Sequence, residues 1–249
     1  MTSQIIDGKV LLSFPIPFDK NETKYSELKY KGKNYFQIVK ELKPTFNFEK
    51  CHLDPDIYDN ILEKRPDDWE ACFGQEEAAL THLMNQKVKV GDVFLFFGWF
   101  IEVENVGSGY KYKRGASDKH VIFGYFQISG IHDTSDEIAK YHWHPHSTTR
   151  PSKPNAIFTA LEFLLDTKLP GYGTFTYSED LDLTRKGYSR SKWELPDCIK
   201  CKTISYHNEF SQKKDYFQSA MIGQEFVLDA DQNIAQWLID KVKKHRTND

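Results

Sequence analysis

The sequence predicts an α+β domain with a mostly antiparallel, barrel-like sheet and flanking helices. Three observations lead there. Val93 to Ile101 (Val-Phe-Leu-Phe-Phe-Gly-Trp-Phe-Ile) is a short, aromatic-rich apolar run bounded by Gly91-Asp92, which reads as a strand buried on both faces. His120 to Ile131 is a second such run, reached through a polar, Gly-rich connection. The two together read as an antiparallel hairpin whose exposed basic tip carries Lys111, Lys113 and Arg114. Two amphipathic stretches, Gln75 to Gln86 and Asp231 to Lys244, supply the helices.

From the N-terminus, Asp7-Gly8 marks a tight turn and Lys9 to Pro17 a short strand halted by two prolines. Asn34 to Leu42 fits an amphipathic helix at the end of a lysine-rich stretch. Asp54-Pro55 is a turn or helix-start signal with Asp54 as a cap. In Gln75 to Gln86, Leu80, Leu83 and Met84 share the expected buried face, and the helix leads into the central strand. Gly98 and Gly124 interrupt the two long strands, as at a bulge or a close approach. Ser135 to Ser152 reads as a structured loop. Asn155 to Asp166 fits a strand by its β-branched start and a helix by Phe158, Leu161 and Leu165; the strand is preferred. A turn at Pro170-Gly-Tyr-Gly173, a short strand over Thr174 to Tyr177 and an irregular segment anchored by Trp193 follow. In the last helix Asp231 is the cap, Ile234, Leu238 and Val242 line one face, and lysines in the final turn complement the helix dipole.

Composition narrows the function. In 249 residues, 28% charged and 14% aromatic, no repeat or low-complexity linker separates the chain, so one domain over residues 1–249 is expected. A net charge of −3 argues against a generic nucleic-acid coat while allowing a local basic groove. Four cysteines do not make a disulfide scaffold, the N-terminus lacks a signal-peptide pattern, and no stretch reaches transmembrane length. A cytoplasmic protein with no membrane partner is the expectation.

The chemistry is carried by three short stretches. In Tyr141-His-Trp-His-Pro-His146, an extended chain would project His142, His144 and His146 to one side, as a proton relay or metal site requires. Pro145 disturbs that regularity and no second cluster supplies a fourth ligand. No metal is therefore assigned, and loop histidines packing with Trp143 are expected. His52-Leu-Asp-Pro-Asp56 places an imidazole and two carboxylates within five positions, which suits acid–base work or metal binding; a cap plus a solvated turn is the simpler reading. Gln75 and Gln224 each sit in a Gly-Gln-Glu triplet, where a carboxamide could read a base edge or simply start a helix. Cys198-Ile-Lys-Cys201 lacks the second pair of a zinc site. Walker, dinucleotide, nucleophile-elbow and zinc-protease motifs are absent.

Ile6 to Pro17, His52 to Asp56, Phe73-Gly-Gln75, Gly91 to Phe100, His120 to Gly124, His144-Pro-His146, Pro170 to Gly173, Leu183-Thr184, Trp193 to Pro196 and Gly223 to Val227 together resemble the third of the nucleotide-modification-associated domains of bacteria and phages. The resemblance implies a role linked to modified nucleobases or nucleotides, without fixing a reaction. Family members usually carry a basic segment upstream of the Asp-Gly turn, for which the six residues before Asp7 leave no room. The two long strands are also similar to the strand pair of PUA-like and EVE-like barrels, which pocket single bases.

The expected function is recognition or processing of a base or nucleotide in an aromatic, histidine-lined pocket. The alternative is a non-catalytic structural or sensor subunit of a defence or modification complex. His52, Asp54, His144 and His146 are the candidate catalytic groups. Gln75, Trp99, His120, Tyr125, Trp143 and Gln224 are the candidate substrate contacts, with tryptophan stacking and Gln or His reading a base edge. No cofactor is assigned, and His120 is expected beside His144 and His146.

Overall fold

A computed structural model describes residues 2–148, 153–220 and 225–247. Its centre is an eight-stranded sheet: β1 (Ser3–Ile6), β2 (Val10–Leu12), β3 (Cys72–Glu76), β4 (Val93–Asn105), β5 (Tyr110–Tyr112), β6 (Lys119–His132), β7 (Asn155–Ala160) and β8 (Tyr172–Thr174). The main path runs β2-β1-β4-β6-β7-β3, with β5 on β4 and β8 on β6. The helices are α1 (Tyr35–Leu42), α2 (Glu77–Asn85), α3 (Ser135–Ile138) and α4 (Gln232–His245).

The α+β class and the central hairpin are as the sequence reads. β4 and β6 pair antiparallel from Val93↔Gln127 to Phe100↔Lys119. Two features of the sheet differ from the expectation. β1 runs parallel to β4, Ser3 opposite Phe100 and Ile6 opposite Val103, so the sheet is mixed. It is also an open, curled half-barrel, with β2 and β3 at the two ends of the path. The turn at Asp7-Gly8 decides which edge of β1 is free for that pairing. Both residues have positive φ, and the turn folds β2 back on the outer side of β1, leaving the inner edge of β1 for the central strand.

The mid-strand glycines divide in their roles. At Gly124 the register shifts by one residue, and a Cβ there would meet Ile57 at 2.5 Å. Gly98 keeps register; a Cβ there would press on the Phe100 ring at 3.2 Å. The Phe73, Phe94, Phe96, Phe126 and Phe158 rings fill the core against the sheet, with adjacent centroids 5.0–6.3 Å apart.

The helices follow their caps. Asn34 accepts from the Gln37 N–H and the Gln37 side chain reaches back, starting α1 one residue after the cap. Asp231 accepts from two N–H groups at the start of α4, where Ile234, Leu238 and Val242 are buried. α2 begins at Glu77 because Cys72–Glu76 is spent as an edge strand; Leu80 and Leu83 are buried, but Met84 faces solvent. Residues 135–148 hold α3 and a 3₁₀ turn at Pro145–Thr148. Asn155–Ala160 is a strand that stops short of Leu161, and β8 lies two residues earlier than the expected Thr174 start. Among the described residues no helix is long and apolar enough to cross a membrane.

A smaller core holds Ile138, Tyr141, Cys72 and Ile157 together, with Trp143 packed against it. It fastens the histidine-bearing loop to β3 and β7. A third core gathers α1 with Phe14, Tyr25, Cys51 and Leu53. The chemistry sits where the segments leaving these two small cores meet.

Candidate functional site

All four candidate catalytic residues converge. Cys51–His52 forms a two-residue ladder with Ile16–Pro17, and Asp54 follows as the chain crosses toward β3. His144 and His146 arrive from the loop that Tyr141 and Ile138 fasten down. The two rings lie directly on Gly74 in β3: a Cβ at that position would stand 2.3 Å from His146 Cδ2 and 2.8 Å from His144 Cε1. Gly74 therefore supplies the space in which the site forms. The expectations of a solvated Asp54 cap and of histidines merely packed on Trp143 are both replaced by this buried centre.

Asp54 is its hub. Oδ1 accepts from the Gly74 N–H at 3.0 Å and lies 3.3 Å from His144 Nε2. Oδ2 faces His52 Nε2 at 3.7 Å and His146 Nε2 at 3.6 Å, both too long for hydrogen bonds. Burial works to raise the Asp54 pKa, but the His144 and His52 contacts and the charges of His144 and His146 outweigh it and hold the carboxyl below its ordinary range.

The neighbours fix the tautomers. The Asn155 amide donates to the His146 carbonyl at 2.8 Å, so its Oδ1, 2.8 Å from His146 Nδ1, must accept the Nδ1–H. His146 then turns Nε2 toward Asp54 Oδ2. Burial lowers its pKa and favours the neutral form. His144 Nδ1 accepts from the His146 N–H at 3.3 Å, so its Nε2–H is left facing Oδ1. Asn21 Nδ2 lies 3.2 Å from the Cys51 carbonyl and 3.1 Å from His52 Nδ1, donating to both, which puts the His52 proton on Nε2. His144 and His146 are buried, whereas a quarter of the His52 side chain is exposed. The ligand-type atoms of His52, Asp54 and His146 all lie within 4.8 Å of one another.

Asp54 also belongs to the wall of a cavity of about 480 Å³, with Lys29, Tyr30, Lys31, Tyr58 and Phe123 among its other lining residues. Sequence reading missed this wall, and it missed Asn21 and Asn155. The only signal for the first is the Lys-Tyr-Lys-Gly turn at residues 29–32. The two asparagines have none, because each acts through partners distant in sequence.

The candidate substrate contacts do not join the centre. His120 lies at the opposite end of β6 from His132, which is aligned through Ile157 with Gly74. Twelve intervening steps span on the order of 40 Å of strand, so the expected grouping of His120 with His144 and His146 does not form. His120 Nδ1 instead accepts from Trp193 Nε1 at 3.0 Å, and burial, aided by Arg190, lowers its pKa to about 4. Tyr125 is fully buried against Phe175. Trp99 is 38% exposed, donates to Asp118 at 2.8 Å and carries the Arg190 guanidinium 4.1 Å from its ring centroid. Gln75 points to the sheet face opposite His146 and donates to Glu225 at 2.6 Å. Trp143 packs on Tyr141 and His142. Gln224 lies outside the described residues. Asp56, two residues from the hub, is occupied by Arg65 at 2.7 and 2.8 Å and Trp69 Nε1 at 2.9 Å.

Fold and site define the class: an α+β domain with a curled mixed sheet, on whose edge strand a buried carboxylate is ringed by three histidines. A sequence model of the family called nucleotide modification associated domain 3 matches residues 1–229, and the chain belongs to that family. No curated protein and no solved structure matches it.

Proposed function

We propose that the domain holds a nucleobase or nucleotide in the cavity beside Asp54 and acts on or senses it through the histidine–aspartate centre. The observation that carries this reading is a cavity of about 480 Å³ whose wall includes Asp54, the carboxylate on which His52, His144 and His146 converge from outside that wall, in a member of a nucleotide-modification family. That volume suits a small molecule. Lys29 and Lys31 offer charge for a phosphate, Tyr30 and Tyr58 offer faces for a base, and Asp54 offers an acceptor for an exocyclic amine or ring N–H. The expected tryptophan platform gives way to tyrosine, since neither Trp99 nor Trp143 is part of the cavity wall. The likeness to base-pocketing PUA-like and EVE-like barrels enters only as an analogy of a curled sheet with a single-base pocket.

Equilibrium binding of a panel of bases and nucleoside monophosphates, ordinary and base-modified, tests the reading on the parent, Asp54→Asn and the Lys29→Ala/Lys31→Ala double variant. The parent should bind at least one member. The lysine variant should bind the phosphorylated form about tenfold more weakly and the free base unchanged. Asp54→Asn should weaken both. A parent that binds nothing in the panel, or three proteins that bind alike, would overturn it.

A further inference from the structure

We infer that His52 Nε2, Asp54 Oδ2 and His146 Nε2 form a three-ligand site for one divalent transition-metal ion. The inference goes beyond the nucleotide reading and rests on the centre alone. Two facing groups make the argument. With its Nδ1 proton committed to Asn155, His146 turns Nε2, its remaining ligand-type atom, to Asp54 Oδ2 at 3.6 Å, too long for a hydrogen bond. A buried carboxylate oxygen and an imidazole nitrogen that face each other without bonding leave room for a cation between them. The His146 proton is fixed on the far side of the ring by a carboxamide, which is how proteins orient metal-binding imidazoles.

The spacing agrees with a metal. Ligand atoms about 2.1 Å from one ion, at angles between octahedral and tetrahedral, stand about 3.0–3.4 Å apart. The two separations to Oδ2, 3.6 and 3.7 Å, need a contraction of a few tenths of an ångström, and the two imidazoles, within 4.8 Å of each other, close in as the ion binds. The far oxygen of Asp54 is held by the Gly74 N–H, with His144 Nε2 3.3 Å away and without a hydrogen-bond partner, so Oδ2 is left for the ion. His144 lies on the Oδ1 side of the carboxylate, away from the His52–Oδ2–His146 set. Two imidazoles and a carboxylate suit zinc, iron(II), cobalt(II) or manganese(II), and three protein ligands leave coordination positions for a further group.

His52 must change to take part. Its Nε2 carries the proton while Asn21 Nδ2 donates to Nδ1. Coordination through Nε2 requires the proton on Nδ1 and the Asn21 carboxamide turned to present Oδ1, giving up the bond to the Cys51 carbonyl. This makes a specific demand on a residue that touches neither the ion nor a substrate. Asn21→Asp, which supplies an acceptor without that rotation, should tighten metal binding.

The test uses the full chain, stripped with chelator and titrated with cobalt(II) and zinc(II) in the absence of any nucleotide. Calorimetry gives stoichiometry and affinity, and cobalt absorption reports the ligand set. One equivalent should bind with a ligand-field spectrum, and metal should raise the Tm. Asp54→Asn and His52→Ala should abolish stoichiometric binding. Asn155→Ala should weaken it about 10–100-fold, and Asn21→Asp should strengthen it by about tenfold. His52 is partly exposed, so His52→Ala decides the matter should the buried Asp54→Asn variant fail to fold. Cys198→Ser/Cys201→Ser should bind as the parent does. A parent that binds no metal overturns the inference, as does binding that survives His52→Ala but is lost with the two cysteines. Metal binding without nucleotide binding would retain this inference and remove the nucleotide reading, and the reverse result would do the opposite.

Discussion

Replacing Gly74 with alanine tests whether the edge strand makes room for the centre. In an ordinary strand the change would be neutral or favourable by about 0.5–1 kcal/mol, because alanine loses less backbone freedom on folding. Here the new methyl would stand 2.3 Å from His146 Cδ2, where ordinary contact begins at 3.4 Å. The ring must retreat by about 1.1 Å, against the Asn155 hydrogen bond at 2.8 Å and the His144 ring tilted beside it at 5.6 Å. Overpacking costs about 1–3 kcal/mol and a lost buried hydrogen bond about 1 kcal/mol more. After the intrinsic alanine gain, a net loss of about 2 kcal/mol is expected, or roughly 4–8 °C in Tm for a chain of this size. Urea unfolding of parent, Gly74→Ala, His146→Ala and the double variant gives a closed cycle. The Gly74→Ala loss should shrink by at least about 1 kcal/mol when His146 is already alanine. An equal loss in both backgrounds, or a gain in the parent, would refute the idea that this glycine exists for the histidines.

Three further outcomes separate the centre from its surroundings. The folded-state pKa of His120 lies below its unfolded value of about 6.5. Its contribution to stability is therefore present above pH 6.5 and lost as pH falls toward 4, amounting to roughly 2–3 kcal/mol; His120→Phe should flatten that part of the stability–pH curve measured by urea unfolding. Asp56→Ala takes the carboxylate from the part-buried Arg65 guanidinium, which keeps only the Asp59 and Tyr58 carbonyls, and should cost about 3 kcal/mol in the same assay, with metal binding by the folded fraction retained. Trp99→Ala removes a ring at the surface, 38% exposed, and should cost less than about 1.5 kcal/mol while leaving nucleotide binding unchanged. A loss of binding there would move the ligand site to the far end of the sheet.

What the sequence made legible was mostly local. The long strands announce themselves by apolar, aromatic-rich runs, and the helix starts read at Asn34 and Asp231 hold within a residue. The parallel pairing of β1 with β4 could not be read this way, since it joins Ser3 to Phe100 across almost a hundred residues, with register set by burial on both faces. The site shows the same division. Two motifs, His52-Leu-Asp54 and His144-Pro-His146, each supply too few groups to distinguish chemistry from a turn. Their meeting depends on Gly74, which carries no functional atom, and on Tyr141 and Ile138, which hold the second motif by packing alone.

The misplaced residues carry the same lesson about where strand chemistry can act. The sequence groups His120 with the loop histidines because β6 leads from one to the others, and Trp99, a stacking candidate for the same pocket, lies opposite His120 on β4. A fourteen-residue strand, however, separates its two ends by more than the width of a binding site. His120 meets Trp193 at one end, and only the His132 end of β6 borders the centre, where His132 Nε2 takes a hydrogen bond partner in Tyr141 at 2.9 Å. Tyr141 is thus pinned by its hydroxyl as well as by its ring, and the loop it starts has little freedom in where it places His144 three residues later. Cutting that bond with Tyr141→Phe keeps the apolar packing and removes one restraint. If positioning of the loop governs the centre, metal affinity should fall while the fold stays intact; unchanged affinity would mean that Gly74 and Asn155 hold the histidines without help from Tyr141.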